Sequence, residues 1–267
     1  MTAKSPAKRF PNLLLANHHY SGTSATVLYN WPIFAGIFFF GVVTLSLGLL
    51  IAPAWSSLLV IVGLGSFAVI TAILLATYLV YDRGQQREYD RLAELGRVGE
   101  ANVVLDITAG KLRGTRGLLP HFKSGHYFLI DIFDAQKMTD QALSRARSLE
   151  PPLEAGRRIY RQPGQPSKLP VPHRWADVIF CDFSLHELQE AADRQAIFSE
   201  FARVLKPGGR ILIAEHGRDW PNFLAFGPGV VTFFSPATWQ QHFSEAGLTV
   251  QHHETWRGLV HLWVVGK

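Results

Sequence analysis

The chain has 267 residues, with 26 Lys+Arg against 21 Asp+Glu, a formal net charge of +5 and 48% hydrophobic residues. That length accommodates one α/β domain of ordinary size plus something more. The single cysteine, Cys181, excludes an intramolecular disulfide and suits a reducing compartment.

The charges are placed unevenly. Every acidic residue lies at or after Asp82, and only Lys4, Lys8 and Arg9 are basic before it. The window from Phe10 to Tyr81 carries no Asp, Glu, Lys or Arg and holds two apolar runs, Trp31 to Ala52 and Ser57 to Tyr81. As a helix the first run is roughly 33 Å long, enough to cross a hydrocarbon core of about 30 Å, and the second crosses with some tilt. Pro53-Ala54-Trp55-Ser56 is a short separator, so the pattern predicts two antiparallel spans, because soluble helices of this length need a polar face. The apolar pair starts too late and runs too long for a cleavable signal peptide. Lys4, Lys8 and Arg9 on one flank and Arg83, Arg87 and Arg91 on the other, with an uncharged turn between, place both termini in the cytoplasm. Tyr29, Trp31, Tyr78 and Tyr81 then share one interface and Trp55 sits at the other. Ala68, Ala72 and Ala76 form a small-residue stripe that can face Gly48 and Ala52. No charge lies inside either run, which argues against a channel, a pump or a proton relay. The boundaries read as an N-terminal segment over 1–30, a transmembrane hairpin over 31–81, a juxtamembrane helix at headgroup level over 82–99 and a soluble domain over 100–267.

The soluble part alternates strand and helix patterns. Ala101–Ile107, Tyr127–Ile132, Arg158–Arg161, Ala176–Phe180, Arg210–Ala214, Thr249–Thr255 and Leu259–Val265 read as strands. Helices are expected through Leu118 and Phe122, over Gln136–Ser148, over Ala191–Leu205 up to Pro207-Gly208-Gly209, and over Pro236–Ala246 with Ser235 as cap. This alternation predicts an α/β fold with a doubly wound, mostly parallel sheet, whose ligands bind at the carboxyl ends of the strands.

Four segments, VVLDITAGKLRG, FLIDIFDAQKMTDQALSRA, LPVPHRWADVIFCDFSLHEL and ARVLKPGGRILIAE, resemble in order and spacing the class I AdoMet-dependent methyltransferases. The similarity is strongest to the subgroup with the ubiquinone/menaquinone and lipid methyltransferases, and it extends over about residues 98–267. It implies a Rossmann-like methyltransferase fold with S-adenosyl-L-methionine as co-substrate. The family's first turn is an acid followed by three alternating glycines. Asp106 and Gly110 match it, while Thr108 and Leu112 replace two glycines. Leu112 is expected to resist a positive φ there. The resemblance gives Asp131 to the ribose hydroxyls, Gln165 to the adenine edge, and Ile132, Asp182 and Phe183 to the rest of the cofactor wall.

Methyl transfer from a sulfonium needs positioning, exclusion of water and sometimes a base. Glu215 and His216 leave the fifth strand, and His186 follows the fourth, so these three are the catalytic candidates, with a structural role open for His186. No metal is expected: the histidines lack metal spacing, and neighbouring His252 and His253 point to opposite faces of a strand. The segment from Trp220 to Trp239 is unusually apolar for a loop. It is either core or a lid that borders the bilayer and admits a lipid acceptor. The cluster Arg145, Arg147, Arg157, Arg158, Arg161, Lys168 and Arg174 either meets anionic headgroups or forms a solvated face. Nucleic acid fits poorly. The expected partners are the bilayer and an amphipathic acceptor, either a quinone or other isoprenoid or a phospholipid headgroup. The rival expectation is a catalytically silent methyltransferase fold that serves as a membrane scaffold.

Overall fold

The computed structural model describes residues 21–50, 53–153 and 159–267. They fall into two compact units, residues up to 83 with 223–228, and 84–222 with 229–267. Lys4, Lys8, Arg9, Ala52, Arg157 and Arg158, on which several expectations rest, lie outside the described residues.

Three α-helices lead the described part of the first unit. α1 (Ser21–Tyr29) is an element the sequence pattern does not predict. Its start is capped by Asp82, whose carboxylate accepts from the backbone N–H of Gly22 at 2.7 Å and of Thr23 at 3.0 Å. α2 (Trp31–Leu50) and α3 (Pro53–Thr77) are the two apolar helices, both long and apolar enough to cross a membrane and with most of their surface exposed. Pro53 opens α3 instead of ending a loop, so Ala54, Trp55 and Ser56 belong to the helix and not to a separator. The interface between the helices keeps the expected Gly48 but pairs it with Val60, and of the alanine stripe only Ala76 is buried. A Cβ at Gly48 would stand 2.9 Å from Val60, and one at Gly63 2.9 Å from Leu45, so glycines set the close approach, while Ala68 of the expected stripe is exposed. Ser56 Oγ donates to the Gly48 carbonyl at 2.6 Å and ties the two helices together at that end.

The second unit begins with α4 (Gln85–Gly96), opened by Gly84 at φ +81°. α4 is not merely a surface linker. Tyr89, Leu92, Ala93 and Gly96 are buried, and a Cβ on Gly96 would stand 2.4 Å from Leu212. Arg91 also pairs with Glu254 at 3.1 Å.

There follow β1 (Val103–Thr108), α5 (Arg113–Leu118), β2 (His126–Asp131), α6 (Gln141–Leu149), β3 (Ile159–Pro163), β4 (Ala176–Asp182), α7 (Ala191–Val204), β5 (Leu205–His216), α8 (Trp220–Phe226), α9 (Pro236–Glu245), β6 (Thr249–Trp256) and β7 (Val260–Gly266). The sheet order is β3-β2-β1-β4-β5-β7-β6, with β7 antiparallel to both its neighbours and the other pairings parallel. This is the doubly wound Rossmann-like arrangement, and its order reverses between β1 and β4, the place where such sheets bind ligands. Phe198, Phe201, Trp239, Phe243 and Trp263 fill the core on the side of α7 and α9.

Two boundaries differ for local reasons. α6 starts at Gln141 rather than Gln136, because the Asp140 side chain accepts from Ala142 N at 2.8 Å and caps the helix there. β5 extends back to Leu205 through Pro207-Gly208-Gly209, which a bulge opposite Ala176–Val178 absorbs, with Gly208 at φ +77°.

Candidate active site

β1 and β2 run in register, so Thr108 and Asp131 end level at the carboxyl edge of the sheet. The turn after β1 keeps its shape with fewer glycines. Thr108 Oγ1 accepts from Gly110 N at 2.8 Å and donates to the Lys111 carbonyl at 2.8 Å, closing the turn with a side chain. Gly110 sits at φ +102°, which favours glycine. Leu112 sits at φ −108°, so the strain expected there does not arise. Glycine reappears one turn later. A Cβ at Gly114 would stand 2.3 Å from the Asp182 Cβ, and one at Gly117 1.9 Å from the Tyr89 ring, so both positions let α5 press onto its neighbours.

Asp106 is buried beneath the turn and accepts from the Tyr127 hydroxyl at 2.8 Å. Burial pushes its pKa up to about 7, against the pull of that hydrogen bond. Asp131 is half-exposed at the end of β2. Arg147, from the last turn of α6, grips it in a fork: Nη1 to Oδ1 at 2.9 Å and Nη2 to Oδ2 at 2.8 Å. The same guanidinium donates to the Ala109 carbonyl at 2.6 Å and lies 3.9 Å over the Phe133 ring. Arg147, expected on a basic face, is thus turned into the site. Beside it a cleft of about 860 Å³ is lined by Ile132, Phe133, Met138, Gly164, Gln165 and Glu187, among others. Gln165 is fixed in a tight turn by reciprocal backbone hydrogen bonds with Lys168.

Asp182 ends β4, accepts from the Tyr89 hydroxyl at 3.2 Å and pairs with Arg113 at 3.4 Å. Burial raises its pKa. Phe183 follows at φ +46°, an uncommon conformation for an aromatic residue. Its ring lies 4.8 Å from the Arg113 guanidinium and 4.6 Å from His216. Close to this group, Glu88 of α4 is buried with its Oε1 lacking a hydrogen-bond partner. Burial, helped by the Asp182 charge and opposed by Arg113 and Arg257, pushes its pKa from 4.5 up to about 8. Between those values the folded state holds a proton that the unfolded state has lost, so stability falls as pH rises through this window. Glu88→Gln, which mimics the protonated acid, should therefore melt at the wild-type temperature near pH 4.5. At pH 9 it should be more stable by several kcal/mol, at about 1.4 kcal/mol for each unit of the upward shift. Thermal melts at both pH values check this, and a variant that is less stable at pH 9 contradicts it.

His186, Glu215 and Glu187 form one ionic cluster. His186 Nδ1 donates to Glu215 Oε2 at 2.7 Å, and its Nε2 lies 3.4 Å from Glu187, which also pairs with Lys111 at 2.8 Å. Burial alone would lower the imidazole pKa, but the flanking Glu215 and Glu187 carboxylates raise it to about 10. Burial opposes ionisation of Glu187 too, yet Lys111 and His186 hold its pKa far below the ordinary value. Glu215 also accepts from the backbone N–H of Leu185 at 2.7 Å, clamping the loop after β4 to the end of β5. These contacts give His186 and Glu215 the geometry of a brace.

His216 differs. Its Nδ1 donates to the Leu259 carbonyl at 3.0 Å, so Nε2 is the ring's acceptor nitrogen. Burial lowers its pKa to about 3, although the Leu259 carbonyl opposes the shift. Its ring stacks on Phe233 at 4.9 Å, and Phe233 lies edge-on to His186 at 5.8 Å. The pattern of the sequence misses the inward roles of Arg113, Arg147 and Glu88. Their long side chains are individually indistinguishable from solvated charges until the fold brings them to the sheet edge.

Among known proteins, residues 104–209 match the family described as methyltransferase domain. The demethylmenaquinone methyltransferases of Mycobacterium tuberculosis (strain H37Rv) and Mycobacterium bovis (strain AF2122/97) are each 29% identical over 140 residues, 52% of this chain and 52% of the relative. The chain therefore spans about half the length of these relatives. A SAM dependent methyltransferase from Aquifex aeolicus superposes with a TM-score of 0.53 at 19% identity, covering 70% of this chain and 93% of that one.

Proposed function

From a chain that carries a class I AdoMet-dependent methyltransferase domain, we propose a membrane-anchored enzyme that moves a methyl group from AdoMet to an amphipathic acceptor. That acceptor is a quinone or other isoprenoid, or a phospholipid headgroup. The observation that carries the reading is that Gly110 and Asp131 come together around Arg147 at the carboxyl edge of the sheet, beside a cleft lined by Ile132 and Gln165 from the loops after β2 and β3.

The residues present fit AdoMet. The notch at Gly110 has no room for a Cβ, Asp131 sets at the sheet edge a carboxylate that ribose hydroxyls would share with or take from Arg147, and Gln165 can both donate and accept. AdoMet, when bound, supplies a methyl group on a sulfonium as the electrophile. The chain supplies the rest. Asp131 accepts from the ribose hydroxyls, and Ile132, Phe133 and Gln165 wall the adenine. Asp106, Thr108 and Gly110 hold the turn, and Asp182 and Phe183 border the side where the acceptor enters. His216 stays neutral at physiological pH, and Phe183 and Phe233 pack on its ring and exclude water from that side of the site. The His186–Glu215 pair fixes the loop that carries Phe183.

Two findings support a lipid-like acceptor: the two apolar helices are candidate spans, and the relatives' name specifies a quinone substrate. The deciding experiment is incubation of the full chain with labelled AdoMet and native membrane lipids, followed by mass spectrometry. Label in a lipid or quinone fraction supports the proposal, and its absence from every lipid fraction removes it. The silent-scaffold reading has one observation in its favour, the Arg147 fork on Asp131. Calorimetric titration of the detergent-solubilised protein with AdoMet separates the two readings, since micromolar binding supports the enzyme and none supports the scaffold.

The anchor is proposed as a hairpin with both termini cytoplasmic, on the strength of its flanking charges. With Ser56→Cys an impermeant thiol reagent should react from outside the cell, and with Ser5→Cys it should not. The reverse pattern overturns the orientation.

A further inference from the structure

Arg147 is placed where a surface salt bridge has no reason to be. Its guanidinium joins three separate pieces of the site: the Ala109 carbonyl in the turn after β1, the Asp131 carboxylate at the end of β2, and the face of Phe133. A Cβ on Gly110 would stand 2.0 Å from Arg147 Nη1, so the guanidinium fills the notch that the glycine leaves. The pair is partly exposed, with side-chain accessibilities of 26% and 38%, and pairs of that exposure contribute little to stability. The fork therefore matters more for what it occupies than for what it holds together.

We infer that Arg147 is a resident occupant of the ribose seat and sets the relative affinity for AdoMet and its demethylated product, S-adenosylhomocysteine. The inference rests on the AdoMet reading of the site. Ribose hydroxyls reach Asp131 only when the guanidinium gives up at least one arm of its fork. Once displaced, the guanidinium would remain tethered to α6 beside the ribose, whose 5′ carbon carries the ligand sulfur. AdoMet carries a positive charge on that sulfur and the product does not. The cation at Arg147 therefore opposes AdoMet twice, by occupancy and by charge, and opposes the product only by occupancy. Binding at this site is tuned towards the product by one side chain.

The test is calorimetric titration of the full-length, detergent-solubilised protein with AdoMet and with S-adenosylhomocysteine, comparing wild type, Arg147→Gln and Arg147→Lys. Arg147→Gln removes the charge and the fork. It should bind AdoMet roughly tenfold more tightly, the equivalent of about 1.4 kcal/mol. Its gain for the product should be roughly threefold or less, and its melting temperature should stay near that of wild type. Arg147→Lys keeps the charge and loses the fork, so both ligands should gain and their affinity ratio should stay near the wild-type value. This second variant keeps the ratio measurable if Arg147→Gln does not fold. Weaker AdoMet binding by Arg147→Gln overturns the inference and makes Arg147 a direct contact of the cofactor. Equal gains for both ligands overturn the charge effect. If no variant, wild type included, binds either ligand, the AdoMet reading falls and the inference with it. That outcome is distinct from a wild type that binds while its variants gain nothing.

Discussion

Asp131→Ala should weaken AdoMet binding by two to three orders of magnitude while leaving the fold intact. The carboxylate ends β2 with 38% of its side chain exposed, so its removal opens no core cavity. What it takes away is the pair of acceptors for two ribose hydroxyls. Hydrogen bonds to a charged group contribute about 1.5–3 kcal/mol each, so losing two amounts to roughly 3–6 kcal/mol, less what the ribose spends in wild type on opening the Arg147 fork. The same change releases Arg147 from its fork, and the unpaired guanidinium then faces a cationic ligand with no counter-charge. Asp131→Asn separates these effects, because it keeps one acceptor and the shape while removing the charge, and it should fall between wild type and alanine. Circular dichroism and a melting curve must accompany the titrations. Unchanged AdoMet affinity in a folded Asp131→Ala protein removes the ribose assignment.

The parts of this site that were legible in the sequence are those carried by strand ends. A strand pattern closing on an acid, as in FLID, locates Asp131 at the sheet edge because strands in a parallel sheet end together, and the register Thr108 to Asp131 bears this out. Ser235 capping α9 and the turn at Arg257-Gly258, with both residues at positive φ, follow from local chemistry and were equally readable. The first turn was harder. Its glycines looked lost, yet the closure comes from the Thr108 hydroxyl and the close approaches fall at Gly114 and Gly117, where Asp182 and Tyr89 arrive from distant parts of the chain. No spacing rule carries that information. The same holds for the helix pair, where shape complementarity at Gly41, Gly48 and Gly63 decides the contact and an alanine repeat does not. Charged side chains were the least legible. Arg147 and Arg113 differ from their solvated neighbours only in what the fold places opposite them.

The apolar segment from Trp220 to Trp239 tests how far the acceptor proposal extends, and it divides between adjacent residues. If it gates an amphipathic acceptor, replacing Phe226 and Phe233 by Ser should leave AdoMet binding and melting temperature close to wild type while cutting turnover of a lipid acceptor. Phe233 is half-buried and stacks on His216, with His186 at its edge. Trp220 and Val231 on the same segment are 68% and 65% exposed, as an apolar surface meeting an amphipathic partner requires. Phe234, one residue on, does the opposite job. It is buried, lies edge-on to Trp239 at 5.4 Å and has the Arg194 guanidinium 3.8 Å over its ring. Phe234→Ser should therefore lose roughly 3–5 kcal/mol, as large-to-small core changes do, and take the domain near unfolding. Phe233→Ser alone should lose no more than about 1 kcal/mol, since truncating a half-buried ring forfeits only part of that burial. Its turnover with a lipid acceptor should nevertheless fall at least tenfold, because the aromatic wall over His216 is gone. Two melting curves and one turnover assay decide the matter. A drop of several kcal/mol for Phe233→Ser with no selective loss of turnover would show that this ring belongs to the core with Phe234, and the lipid-acceptor proposal would then rest on the apolar helices and the relatives alone.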